Sequence, residues 1–186
     1  MNPDDPRAQR TRARLQAAIL DLATERDLAE ITIAEVAKRA AVNRATVYLH
    51  YADVDALAAA AMRDAVAEVA RAAALCPLTA PRDRAPEPLT TLFAHVEANL
   101  KLYGCMLGPQ GSPRFTAGLR ERLTAELETR FARGSRPPGA DDVPVEVHAA
   151  YLAGALTGVI AHWATGGSAA VPADQVALAF WRLFRT

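Results

Sequence analysis

The sequence predicts an all-α protein of about nine helices in two domains. A three-helix domain spans 1–52 with a helix-turn-helix unit at 32–51, and a larger helical domain spans 53–186. Three observations carry that prediction. Apolar residues recur at helical spacing through most of the chain. Two short helical patterns within Thr32–Tyr51 each carry their own start signal. The last two helical patterns are more apolar than one chain of this size can cover.

Arg7 to Glu25 forms the first expected helix, because Leu15, Ala18, Ile19, Leu22 and Ala23 share one face. Residues 26–31 make a connector. Thr32 and Glu35 then have the spacing of a capping box, with Ile31 and Val36 placed as a hydrophobic staple. Asn43 caps a second helix, with Val42 and Val47 at the same staple spacing. From Asp53 an apolar stripe of Val54, Leu57, Ala58, Ala61, Met62, Ala65, Val66, Val69 and Ala70 predicts one long helix to about Leu75. Cys76-Pro77 stops it, and the proline-bearing stretch to Pro88 reads as a linker.

Leu89, Leu92, Phe93, Val96, Leu100 and Tyr103 define the next helix, expected to end at Gly104 before the loop Gly108–Pro113. Phe115, Leu119, Leu123, Leu127 and Phe131 follow at a strict spacing of four, closed by Gly134 and a loop over 134–142. The penultimate helix, Val145 to Trp163, carries Gly154 and Gly158 four residues apart, a spacing suited to close helix contact. In the last helix Val176, Ala179, Phe180, Leu183 and Phe184 form the expected stripe, with Trp181 on another face. The surplus of apolar surface on these two helices, 145–165 and 173–185, implies a partner subunit, most simply a two-fold homodimer with two helices from each chain.

The formal net charge is zero, so any affinity for a polyanion must come from local clustering. Such clusters exist: Arg7, Arg10, Arg12 and Arg14 in the first helix, and Lys38, Arg39 and Arg44 within 36–50, with no acid in either window. Cations at a helix N-terminus oppose its dipole, which points to a partner supplying negative charge. In the second helix of the unit Val47 faces inward, leaving Arg44, Ala45, Thr46, Tyr48 and His50 for outside contacts. Arginine bonds guanine bidentately, hydroxyls reach phosphates, and an alanine or threonine methyl meets the thymine methyl. Tyr51 is open to two roles, packing or contact.

Ile31 to Leu57, reading I-T-I-A-E-V-A-K-R-A-A-V-N-R-A-T-V-Y-L-H-Y-A-D-V-D-A-L, resembles the DNA-binding domain of the tetracycline-repressor (TetR) family of transcriptional regulators. The end of the chain, Y-L-A-G-A-L-T-G-V-I-A-H-W through the last helix, is similar to that family's dimerisation pair. The resemblance implies a homodimer whose Arg44–His50 helices enter successive major grooves of a palindromic double-stranded operator. It implies a small-molecule effector in the C-terminal domain that shifts the Asp53–Leu75 helix and releases the DNA, with repression as the default outcome. Carried over residue by residue, Thr32 touches phosphate, Arg44, Ala45 and Thr46 meet bases or phosphates, and Tyr48 and His50 contact the backbone. One departure is that Ala52-Asp53-Val54-Asp55 stands where the family commonly has a lysine, so this flank is expected to repel DNA unless the arginines of the first helix compensate.

Other functions leave weaker traces. His50, His95, His148 and His162 form no paired ligand motif; His148 and His162 lie about 21 Å apart along one helix, too far to share a metal. No catalytic residues, metal or cofactor are expected. A thiol-based redox or electrophile sensor acting through Cys105 or Cys76 is one alternative, and a helical dimer that binds only proteins is another. His95, Asn99 and Tyr103 are the candidate effector contacts, polar positions among leucine and phenylalanine. The acidic, proline-bearing start is unlike a signal peptide, and no apolar run reaches the roughly 20 residues of a membrane span, so a cytoplasmic protein is expected.

Overall fold

A computed structural model describes residues 5–77, 80–134, 136, 142–167 and 171–184. Among them there are ten α-helices and no strand: α1 (Pro6–Glu25), α2 (Ile33–Ala40), α3 (Arg44–Tyr48), α4 (Val54–Ala61), α5 (Arg63–Leu75), α6 (Glu87–Ala98), α7 (Leu100–Leu107), α8 (Pro113–Ala132), α9 (Val145–His162) and α10 (Ala173–Phe184). Most of the expected loop over 134–142 lies outside the described residues, as does the last position of the 173–185 segment.

The first three helices pack as the apolar pattern requires. Leu15, Ile19 and Leu22 of α1 meet Val36 of α2 and Val47 of α3 in one core. That core continues through Leu57 and Met62 into Val69 of α5, Phe93 of α6 and Trp163 after α9. The unit at 32–51 is thus seated on the rest of the protein through α1 and α4, with α1 also touching α7.

Three expectations about elements are corrected. The single helix expected from Asp53 to Leu75 breaks into α4 and α5 at Met62, whose backbone turns to φ −89°, ψ 5°. Met62 remains buried, so the stripe runs through the break and the periodicity hides it. The helix expected over 89–103 breaks at Asn99, whose amide donates to the carbonyl of His95 at 2.9 Å, and it continues past Gly104 to Leu107. Gly104 is no stop signal: a Cβ there would lie 2.5 Å from the carbonyl oxygen of Ala164, so glycine lets α7 approach the turn after α9.

The third correction concerns α10. Trp181 faces inward, 1% exposed, and its indole N–H donates to the carbonyl of Pro81 at 2.9 Å, while Leu183 is 72% exposed. The α9 helix likewise has two faces. Ala149, Leu152, Ala153, Leu156 and Ile160 are buried, yet Val147, Tyr151, Gly154 and Gly158 are exposed. Among the described residues no atom of another helix lies within 4 Å of a Cβ built at Gly154 or Gly158, so these glycines make no close contact with another described helix of the chain. Gly166, at φ 97°, turns the chain after α9.

Candidate nucleic-acid interface and effector pocket

The helix-turn-helix is built from local devices. The Thr32 backbone N–H donates to Glu35 at 2.9 Å, while the Thr32 hydroxyl accepts from the Glu35 backbone at 3.3 Å. Those bonds from Thr32, with Arg26 alongside at 2.9 Å, hold the Glu35 carboxyl below the usual carboxylate range. At the turn, Val42 N–H reaches the carbonyl of Ala37 and Ala41 N–H that of Lys38, the paired closure of a helix ending in the left-handed conformation. Ala41 occupies that conformation at φ 50°, and Arg14 of α1 holds its carbonyl at 3.0 Å. Asn43 accepts from the backbone of Ala45 at 2.8 Å and starts α3.

On α3 the only buried side chain is Val47. Arg44, Ala45 and Tyr48 are exposed, and Thr46 and His50 are partly so. The Arg44 guanidinium donates to the Tyr48 hydroxyl at 3.3 Å and lies 5.7 Å from the ring centroid, so one turn of helix presents a planar cation stacked on an aromatic ring. His50 is held below its usual pKa by burial and then by the charge of Arg12, which brings the start of α1 beside the end of α3. The two basic windows thus meet on one surface, and Thr32 is exposed at the start of α2.

Tyr51 behaves differently. It is 9% exposed and its hydroxyl accepts from the Gln16 amide at 3.0 Å, which favours the packing role. Arg39 is engaged too, gripping both carboxylate oxygens of Glu25 at 3.0 Å. The spacing of Arg44 and Tyr48, one turn apart, was visible in the sequence and signals their pairing.

The acidic flank is not bare. Arg114, in the first turn of α8, lies 2.6 Å from Asp53 and 3.4 Å from Asp55, and the Ser112 hydroxyl donates to Asp55. Sequence reasoning missed both partners. Ser112 was detectable as the cap of α8, where it accepts from Phe115 N–H at 2.9 Å, but its reach to Asp55 was not.

Of the candidate effector contacts, His95 and Tyr103 come together, with ring centroids 6.0 Å apart and edge to face, whereas the Asn99 amide is spent on the α6 backbone. Between α8, α9 and α10 a small apolar cavity of about 40 Å³ is lined by Leu127, Phe131, Leu152, Leu156 and Trp181. Its polar member, Arg130, donates to the carbonyls of Ala74 and Cys76. Both thiols are far from activated: burial pushes Cys76 up to about 11 and raises Cys105 as well. Among the described residues no group of three or more His, Cys, Asp or Glu could hold a metal ion, and no helix is long and apolar enough to cross a membrane.

Residues 15–61 match the family described as "Bacterial regulatory proteins, tetR family". Over 66 residues, 35% of this chain, the sequence is 41% identical to an HTH-type transcriptional regulator of uncharacterised role, YxbF of Bacillus subtilis (strain 168), and this match spans 17% of that protein. The whole fold is similar to a TetR-family transcriptional regulator from Syntrophomonas wolfei, with TM-score 0.72, 14% identity, and 96% and 94% of the two chains covered. It is also similar to RolR in complex with resorcinol, with TM-score 0.59, 23% identity and coverage of 96% and 89%.

Proposed function

Because residues 15–61 match the family of tetR bacterial regulatory proteins, we propose that they form a DNA-binding domain and that the chain is a ligand-responsive transcriptional regulator that binds a palindromic operator as a homodimer. The observation that carries this is the exposed Arg44–Tyr48 pair on a helix whose one buried residue, Val47, pins it to the core. Arg44, Ala45 and Thr46 meet base edges, the planar guanidinium being the group best shaped for guanine. Thr32, Tyr48 and His50 contact the phosphate backbone and set the register. Arg7, Arg10 and Lys38 add cations at exposed positions around that face.

The second copy docks on the exposed faces of α9 and α10. Val147, Tyr151, Gly154 and Gly158 line the first, and Ala179 and Leu183 the second. Glycines open on one side suit a helix of the partner lying close across them. A small molecule in the C-terminal domain alters how α4 sits, and with it the separation of the two α3 helices. Repression in the cytoplasm, relieved by that molecule, is the simplest outcome. RolR was solved with resorcinol, which supports a small-molecule effector for a fold of this kind.

The protein-binding alternative drew its support from the acidic flank, and Arg114 beside Asp53 and Asp55 takes that support away. Elevated thiol pKa values likewise leave the thiol-sensor reading without a reactive group. Gel retardation with the intergenic DNA upstream of its own gene, followed by a screen for compounds that abolish the shift, tests the proposal. Failure to retard any such fragment would overturn it.

A further inference from the structure

Around the helix-turn-helix, arginines are held by acceptors that carry negative charge. Arg26, Arg39 and Arg114 each pair with a carboxylate, and Arg14 holds the carbonyl of Ala41. Arg44 differs. Its Nη2 donates to the hydroxyl of Tyr48 at 3.3 Å, its guanidinium carbon lies 5.7 Å from the ring centroid, and among the described residues no ion pair joins it to a carboxylate.

The choice of partner has a chemical consequence. A carboxylate would orient the guanidinium, but it would also cancel the charge and occupy the N–H groups that a guanine edge needs. A tyrosine orients the group and leaves its charge whole, with one N–H spent and the rest free for a base. Arg44 is also the first residue of α3, where the helix dipole disfavours a cation, and the electron-rich ring face offsets that penalty. The ring has a fixed base to act from. Tyr48 directly follows the fully buried Val47, is only 50% exposed, and borders a hollow together with Ile31, Ile33 and Ala52. A long side chain left loose would lose its rotamer freedom on meeting a base; one already held against a ring loses less.

We infer that Tyr48 is a positioning residue for base reading: its ring and hydroxyl hold the Arg44 guanidinium ready for guanine, so Tyr48 contributes to sequence preference as well as to phosphate contact. The hydroxyl oxygen accepts from Arg44 while its proton is left to donate to a phosphate oxygen. One side chain then ties the register on the DNA backbone to the reading of a base. The inference rests on the chain binding operator DNA through α3.

Fluorescence anisotropy tests it, with the operator from the upstream intergenic DNA and with versions carrying single base-pair changes across each half-site. The proteins compared are the parent, Tyr48→Ala, Tyr48→Phe, Arg44→Ala and the Arg44→Ala/Tyr48→Ala double variant. Tyr48→Ala should lower preference by about two- to fivefold at the base pair where Arg44→Ala relaxes it, the strength of an exposed cation–π contact, and Tyr48→Phe, which keeps the ring, should fall between Tyr48→Ala and the parent. In the Arg44→Ala background Tyr48→Ala should change preference no further, since it acts through Arg44. Without DNA, the NMR order parameter of the Arg44 Nε–H should exceed that of the exposed Arg10 and drop to that level in Tyr48→Ala. Equal weakening of all operators by Tyr48→Ala, a preference loss undiminished in the Arg44→Ala background, or an Arg44 order parameter indifferent to Tyr48 would each overturn the role. A parent chain that binds no fragment removes the regulator reading and this role with it; a parent that binds, with any of those three results, removes this role alone.

Discussion

Nη1 of Arg114 donates to Oδ1 of Asp53 across 2.6 Å, joining the first turn of α8 to the residue that caps α4 directly after the helix-turn-helix. The same carboxylate oxygen accepts from Ala56 N–H, so Asp53 starts α4 and anchors it to the C-terminal domain at once. An acidic flank that by sequence alone should repel DNA is therefore half neutralised from within, one guanidinium standing against two carboxylates.

Arg114→Ala restores that repulsion. Both partners are about half exposed, so the loss of stability is small, within about 1 kcal/mol. Operator affinity should fall several-fold at low salt, and adding Asp53→Asn and Asp55→Asn should return it, asparagine being an equally good cap. Fluorescence anisotropy with labelled operator checks this; unchanged affinity in Arg114→Ala would show that the flank lies away from the DNA.

His50 gives a pH dependence with opposite signs for folding and binding. Its folded pKa is depressed below the usual 6.5 by burial and by Arg12, so its contribution to stability is complete above the unfolded value and is lost as pH falls through the folded one. A nearby phosphate favours the imidazolium instead. Between about pH 7.5 and 6 the melting temperature should fall while operator affinity rises, and His50→Gln should flatten both trends. Affinity that declines together with stability would place His50 away from phosphate.

Ala41 holds a left-handed backbone at φ 50° that an alanine adopts at a cost of about 1 kcal/mol. Ala41→Gly should stabilise the protein by about 0.5–1 kcal/mol, and Ala41→Val should destabilise it. Urea unfolding followed by circular dichroism measures both.

Gly154 tests the pairing of subunits. A Cβ at this exposed position meets none of the described residues, and replacing a helical glycine improves helix propensity, so Gly154→Arg should fold. It should sediment as a monomer and bind a palindromic operator far more weakly than the parent. A dimeric Gly154→Arg would move the interface elsewhere.

What the sequence made legible was local. The caps at Thr32 and Asn43 are read from residues at most three apart, and the buried row Phe115, Leu119, Leu123, Leu127 and Phe131 from a constant spacing of four. Breaks at Met62 and Asn99 escaped because neither glycine nor proline marks them and the apolar stripe passes through. Gly104 was misread because its reason lies in Ala164, a neighbour brought close only by folding. At the candidate interface the outward placing of Arg44 and Tyr48 followed from the inward Val47 on α3. The engagement of Arg39 by Glu25 and of Asp53 by Arg114 did not, since those partners come from other helices. His95 and Tyr103 were marked only as polar residues in an apolar stretch; that each carries an unpaired buried atom belongs to the packed structure.

The central claim is that α3 reads operator DNA through Arg44. A titration of the intergenic DNA upstream of its own gene, across a salt series, with the parent chain and with Arg44→Ala, tests it most directly. The account predicts saturable binding that weakens steeply with salt, and a loss of about 1–3 kcal/mol in Arg44→Ala with discrimination relaxed at one base pair of each half-site. Binding by Arg44→Ala with undiminished affinity and sequence preference would contradict it.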